Sequence, residues 1–134
     1  MFVLDSDVCI WLLRGRAPAV ETRLRTLPLN AVATTTVTAG ELRYGALRSK
    51  HARANLARVE AFLAPVRLLS FDNRAACHFA DIKGHLAAAG ALIGPMDLLI
   101  AATTRAHDAT LVTGNTREFS RVPDLPVEDW IVRG

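Results

Sequence analysis

The amino-acid sequence predicts an α/β domain with a parallel sheet covered by helices on both faces. Two observations carry this reading. Short apolar runs rich in β-branched residues alternate along the chain with longer segments whose apolar positions recur at helical spacing. The 134 residues, 51% hydrophobic and 22% charged, suffice for one domain with a substantial core and are too apolar for a disordered chain.

The elements follow in order. Phe2-Val-Leu4 reads as a short buried strand, and the acids after it open a turn. Val8 to Leu13 has a helical pattern, with breaks at Gly15 and Pro18, and Ala19 to Leu27 reads as a charged amphipathic helix. Ala31 to Val37 is a β-branched strand, followed at once by a helix whose Thr38-Ala-Gly-Glu41 has the form of a capping box. Residues 51 to 63 place Leu56, Val59, Phe62 and Leu63 on one helical face. Val66 to Ser70 is a strand, and Asn73 to Ala89 is a long helix ended by Gly90. Pro95 starts a helix from Met96 to Arg105 with Asp97 in its first turn. Thr110 to Thr113 is a strand broken by Gly114-Asn115, and Leu125 to Val127 is a last short strand. No internal repeat, linker or low-complexity segment divides the chain, so residues 1–134 are read as a single domain.

Bulk properties narrow the function. The net charge of +3 and pI near 9.4 permit an anionic partner such as nucleic acid without requiring one. Cys9 and Cys77 match no metal or redox spacing, and Cys9 lies in an apolar run that predicts a buried free thiol. The opening residues lack a basic start, and Asp5 and Asp7 interrupt their apolar run, which is unlike a signal peptide. No stretch approaches the roughly 20 apolar residues that span a bilayer. A cytoplasmic protein without membrane association is expected.

Four acids stand against apolar runs at the ends of predicted elements: Asp5, Asp7, Glu41 and Asp97. Buried carboxylates are costly unless they are paired or bind a cation. In an open parallel sheet the carboxyl ends of the strands line the ligand crevice, and Asp5, Glu41 and Asp97 all fall just past a strand or at a helix start. Two carboxylates about 4 Å apart repel by about 4 kcal/mol at an effective dielectric near 20. Such a cluster holds protons or a cation, and an all-oxygen donor set suits Mg²⁺ or Mn²⁺. Taken singly, Glu41 reads equally as a capping-box glutamate and Asp97 as a favourable first-turn charge. Asp5 has no evident cap to make. The joint occurrence of the three is what points to phosphodiester chemistry.

Other motifs are missing. His51, His78, His85 and His107 fit no zinc spacing, and neither a Gly-rich phosphate loop nor a Gly-x-Ser-x-Gly elbow is present. Arg43, Arg48, Lys50, Arg53 and Arg58 follow Glu41, and Arg14 and Arg16 follow the first acidic pair. They can hold phosphates or merely form solvated helix faces.

Four segments in order carry a resemblance to the PIN-domain ribonucleases, and within them to the VapC-type toxins of bacterial type II toxin–antitoxin systems. They are Val3-Leu-Asp-Ser-Asp-Val8, Thr36-Val-Thr-Ala-Gly-Glu-Leu-Arg-Tyr-Gly45, Ile93-Gly-Pro-Met-Asp-Leu-Leu-Ile-Ala-Ala102 and Leu111-Val-Thr-Gly-Asn-Thr-Arg-Glu-Phe119. The ending Leu125-Pro-Val-Glu-Asp-Trp130 is also similar. The resemblance implies a PIN-like three-layer α/β/α sandwich around a mostly parallel sheet. It implies a homodimer, a cognate VapB-type antitoxin, and Mg²⁺-dependent cleavage of RNA, with transfer RNA among the family's targets. It maps Asp5, Glu41 and Asp97 onto the three core acidic positions. The first motif often reads Asp-Thr-Asn, so Ser6 and Asp7 depart from it; Asp7 either adds a metal ligand or binds backbone. The fourth acidic position falls near Asn115, an amide, and either Glu118 supplies the charge or Asn115 orients water.

The expected activity is thus metal-dependent endoribonuclease cleavage carried by Asp5, Glu41, Asp97, Asn115 and Glu118. Arg43, Arg48 and Thr113 are candidates for touching RNA or orienting phosphate. Two rivals stand beside it. One is a PIN-like module that binds RNA or a partner without cutting. The other is a haloacid-dehalogenase-like phosphatase, in which Asp5 would attack phosphorus and Asp7 act as acid and base. The short chain and the placement of Lys50 and Lys83 speak against the phosphatase.

Overall fold

A computed structural model of the chain describes residues 1–131. A central sheet of five strands has the order β3-β2-β1-β4-β5, comprising β1 (Phe2–Leu4), β2 (Val32–Thr35), β3 (Arg67–Leu69), β4 (Thr110–Val112) and β5 (Val127–Glu128). All four strand pairings are parallel, with Val3 opposite both Ala33 and Leu111. The helices are α1 (Ser6–Leu13), α2 (Pro18–Arg25), α3 (Thr36–Leu47), α4 (Ala52–Leu63), α5 (Asn73–Ala88), α6 (Pro95–Ala106) and the single turn α7 (Thr116–Phe119).

Alternation along the strands builds the three layers. Val3, Ala33, Leu69 and Leu111 face Ile82 and Leu86 of α5 and Ile100 and Ala101 of α6. Leu4, Val32 and Val112 face the opposite way, onto Val8, Val20, Leu42 and Val59 of α1 to α4. Cys9 is fully buried in that second cluster. Burial pushes its thiol up to about 12, so it stays protonated, the inert thiol that its apolar run implies. Arg105, 8% exposed at the end of α6, clamps α5 to the segment beyond α7. Its guanidinium donates to His78 Nδ1 at 2.8 Å, Asp81 Oδ2 at 2.7 Å and the Pro123 carbonyl at 3.1 Å. Among the described residues, no helix is long and apolar enough to cross a membrane.

The layer order matches the sequence reading, but several boundaries move. The second strand stops at Thr35, not Val37, because the Thr35 hydroxyl accepts the Thr38 amide at 3.0 Å and caps α3 itself. The capping box at Thr38 and Glu41 is therefore incorrect; Glu41 lies in the second turn, beyond the helix N-terminus. The first helix starts at Ser6, two residues before the apolar pattern, because Asp5 caps it. The last strand shifts to Val127–Glu128, and two short elements, the 3₁₀ turn Leu29–Ala31 and α7, have too few residues to generate a periodic signal.

In this strand order the chain leaves β1 toward β2 on one side and reaches β4 on the other. The crevice expected at such a switch point lies past the carboxyl ends of β1 and β4. The next residues there are Asp5 and Thr113.

Candidate active site

Asp5 is 4% exposed and both of its oxygens are engaged. Oδ1 accepts the Ser6 amide at 2.8 Å, capping α1, and Oδ2 accepts the Thr113 hydroxyl at 2.7 Å. The same Thr113 oxygen accepts the Asn115 amide at 3.0 Å, which shapes the turn after β4. Asp5 thus does have a cap to make, contrary to the sequence reading. A carboxylate gripped at both oxygens is also a poor nucleophile, which argues against the phosphatase mechanism.

Ser6 joins the first motif to α3. Its hydroxyl donates to Glu41 Oε1 at 2.8 Å and lies 2.9 Å from the Thr38 hydroxyl. Glu41 is exposed and turned toward the β1 end by this contact. Asp7, half-buried in the first turn of α1, accepts two backbone amides: Val8 at 2.7 Å on Oδ1 and Gly114 at 3.1 Å on Oδ2. Asp97 is half-buried in the first turn of α6, after Gly94-Pro95. Asn115 donates its side-chain amide to Glu118 Oε2 at 3.1 Å, so α7 delivers a carboxylate beside the amide that the sequence puts in the fourth acidic position.

Charge binds these groups into one site. Burial raises the Asp5 carboxyl to about 7, and the charges of Asp7 and Asp97 add to the rise against the hydrogen bonds from Thr113 and Ser6. Burial also raises Asp7, opposed by the Gly114 and Val8 amides. Asp97 is raised by burial first, then by Glu118, Glu41 and Asp7. Asp5 and Asp97 therefore each feel other acids of the site, Asp97 those of Glu118, Glu41 and Asp7, and Asp5 those of Asp7 and Asp97. Such a field favours protons or a cation, and its donors are all hard oxygens, the chemistry that fits Mg²⁺ or Mn²⁺. Among the described residues, no three His, Cys, Asp or Glu side chains form a ready metal cage as they stand. The acids sense one another mainly through charge.

A family model described as "PIN domain" matches residues 2–125. The chain belongs to the PIN-domain family. A tRNA(fMet)-specific endonuclease VapC from Shigella flexneri is 38% identical over 129 residues, covering 96% of this chain and 97% of its own. Among solved structures, DNA-bound VapBC from Salmonella typhimurium has 35% identity and a TM-score of 0.89, covering 96% and 97% of the two chains. VapBC2 from Rickettsia felis, bound to a promoter DNA fragment, has 29% identity and a TM-score of 0.89, covering 96% and 98%. The PIN domain described here is thus of the VapC kind, and its five-stranded parallel sheet between helical layers is the fold those relatives share.

The remaining sequence candidates of this PIN domain are dispersed. Arg43 is ion-paired with Glu60 at 2.7 Å on the outer face of α3, and Arg48 stacks over the Tyr44 ring at 5.6 Å. Thr113 is buried and serves Asp5. Three contributors escaped the sequence reading. Ser6 stood out only as a departure from the first motif, and Thr38 only as a cap. Gly114 was noted only as a strand breaker. A Cβ at Gly114 would lie 2.7 Å from Trp11 Cη2 and 3.0 Å from Asp7 Oδ2, so its absence lets Trp11 and Asp7 close on the turn.

Proposed function

We propose that this PIN domain is the toxin of a type II toxin–antitoxin pair, a divalent-metal-dependent endoribonuclease. The observation that carries the reading is the convergence of Asp5, Glu41 and Asp97, with Asp7 and Glu118 in charge range, at the carboxyl ends of β1 and β4. Asp5, Asp97 and Glu41 are the residues that would hold the ion, and Glu118 rather than Asn115 supplies the further negative charge. A bound Mg²⁺ or Mn²⁺ would supply the Lewis acidity that activates water toward a phosphodiester.

The chain's own groups do the positioning. Thr113 and the Ser6 amide lock the Asp5 carboxyl in one orientation, so little reorganisation is needed when substrate arrives. Ser6 ties Glu41 to the same edge, and the amides of Val8 and Gly114 hold Asp7 against the backbone. The relative from Shigella flexneri supports RNA as the substrate, with transfer RNA as the class to test first. VapBC complexes of similar fold support a VapB-type antitoxin as partner. A cleft of about 300 Å³ between α1, α3 and α4, lined by Leu13, Leu42, Val59 and Glu41, suits an apolar segment of such a partner. Exposed Leu92 and Met96, beside the start of α6, suit a second copy of the chain. A toxin acting on cellular RNA works in the cytoplasm.

The test is cleavage of total bacterial RNA by the purified chain, freed of antitoxin, with Mg²⁺, with Mn²⁺ and with EDTA. Discrete fragments that need metal and vanish in Asp97→Asn are expected. A folded, metal-binding protein that cuts nothing would replace this reading with that of a binding module.

A further inference from the structure

The end of α1 builds a feature that the catalytic reading does not use. Gly15, at φ +66°, reverses the chain, with its amide on the Leu12 carbonyl at 3.1 Å and the Arg16 amide on the Trp11 carbonyl at 2.8 Å. The turn sets Trp11, Arg14 and Arg16 around one groove, which Ile131 also lines. Arg14 and Arg16 are exposed, and neither guanidinium has an ion-pair partner among the described residues. Arg43 and Arg23, by contrast, are paired with Glu60 and Glu128. Trp11 is half-buried, and its ring edge packs on Gly114 beside Asp7. Among the described residues no buried side-chain nitrogen or oxygen is unpaired, and the Trp11 indole N–H meets no protein acceptor, so that N–H opens to solvent.

A half-open indole with two uncompensated guanidiniums is the combination that binds single-stranded nucleic acid, by base stacking and phosphate contact. Asp7 and Gly114 join this groove directly to the turn that holds Asp5. We propose that the Trp11–Arg14–Arg16 groove holds the RNA strand flanking the scissile phosphate, the base next to it resting on Trp11. An acidic segment of a protein partner has similar charge, but contact with the acidic centre through Gly114 favours the strand being cut. The inference rests on the ribonuclease reading.

Binding is measured with fluorescein-labelled bacterial transfer RNA and a single-stranded RNA oligonucleotide, across a salt series, in the non-cleaving Asp97→Asn background. Cleavage is measured separately in the otherwise wild-type chain. Arg14→Ala and Arg16→Ala should each lower the slope of log affinity against log salt by about one. Trp11→Ala should weaken binding by about 5- to 100-fold, with Trp11→Phe recovering most of it. In cleavage the loss should fall mainly on KM. Wild-type protein that cuts RNA while all four variants bind and cut equally well would overturn the subsite and leave the ribonuclease reading standing. Wild-type protein that neither binds nor cuts RNA would overturn both. Loss of affinity for the antitoxin, with RNA binding unchanged, would also overturn the proposal and give the groove to the protein partner.

Discussion

The Thr113 hydroxyl donates to Asp5 Oδ2 at 2.7 Å, a contact between residues 108 positions apart in the sequence. Both lie just past neighbouring parallel strands, so the register of β1 on β4, with Leu4 opposite Val112, brings them together. The bond opposes the burial that drives Asp5 toward its protonated form. Thr113→Val keeps the shape and removes the donor. It should cost about 1–3 kcal/mol, as expected for an unsatisfied buried acceptor. It should also raise the Asp5 carboxyl further and move the acid limb of cleavage to higher pH. Thermal unfolding and a pH–rate profile check both; a profile left in place would remove Thr113 from the site.

Ser6 makes the corresponding link to α3 through Glu41. The bond to exposed Glu41 adds little to stability, but the same hydroxyl lies 2.9 Å from that of fully buried Thr38, so Ser6→Ala should cost about 0.5–1.5 kcal/mol. It should also lower kcat by about 10-fold or more, and Ser6→Thr, which keeps the hydroxyl, should restore both. Equal loss in both variants would mean that the small side chain, not the hydrogen bond, matters.

The acidic centre makes stability fall with pH in the metal-free protein. Asp5 rises from 3.8 to about 7 on folding, so the folded state binds its proton more tightly than the unfolded state does. The stabilisation is fully present below about pH 4 and is lost as pH climbs through about 7, and the raised carboxyls of Asp7 and Asp97 act in the same direction. Metal-free Tm should therefore drop between pH 5 and pH 8. Added Mg²⁺ or Mn²⁺ should raise Tm more at pH 8 than at pH 5, because the cation competes with protons. Equal shifts at both pH values would place the ion elsewhere.

Removing the charge that creates this tension should stabilise the fold while ending the chemistry. Asp5→Asn keeps an oxygen for the Ser6 amide and lowers repulsion with Asp7 and Asp97. Its metal-free Tm at pH 8 should exceed that of the wild type, with no RNA cleavage. A variant that still cuts would remove Asp5 from catalysis.

Gly114 is the steric hinge of the site. Gly114→Ala places a methyl where Trp11 Cη2 would lie 2.7 Å away and Asp7 Oδ2 3.0 Å away. One of the two must shift, so both cleavage and the fluorescence of Trp11 should change. Trp130 also contributes to emission, so the comparison is best made in a Trp130→Phe background.

Local patterns in the sequence determined a good deal. Apolar spacing in Asn73–Ala88 and Pro95–Ala106 is legible as helix, and β-branched runs at Val32–Thr35 and Thr110–Val112 as strand. Periodicity reports which face of a segment is buried, and alternation of the two kinds of segment leaves a parallel sheet between helical layers. Asp5 and Asp97 stand out in the sequence for a related reason, since a carboxylate beside core residues at an element end is costly without a purpose, whereas Glu41 proves to be exposed in the second turn of α3. Tertiary structure decided the rest. Thr35 took the helix cap from Thr38, because the strand ended where its pairing with Leu69 ended. Arg43 turned to Glu60 while Arg14 and Arg16 found no ion-pair partner among the described residues, and Glu118 came alongside Asn115 on a helix too short to show a period. Those outcomes depend on distances between residues tens of positions apart. Chain spacing encodes what an element is, but only the packed sheet sets which charges meet and which remain open to a ligand.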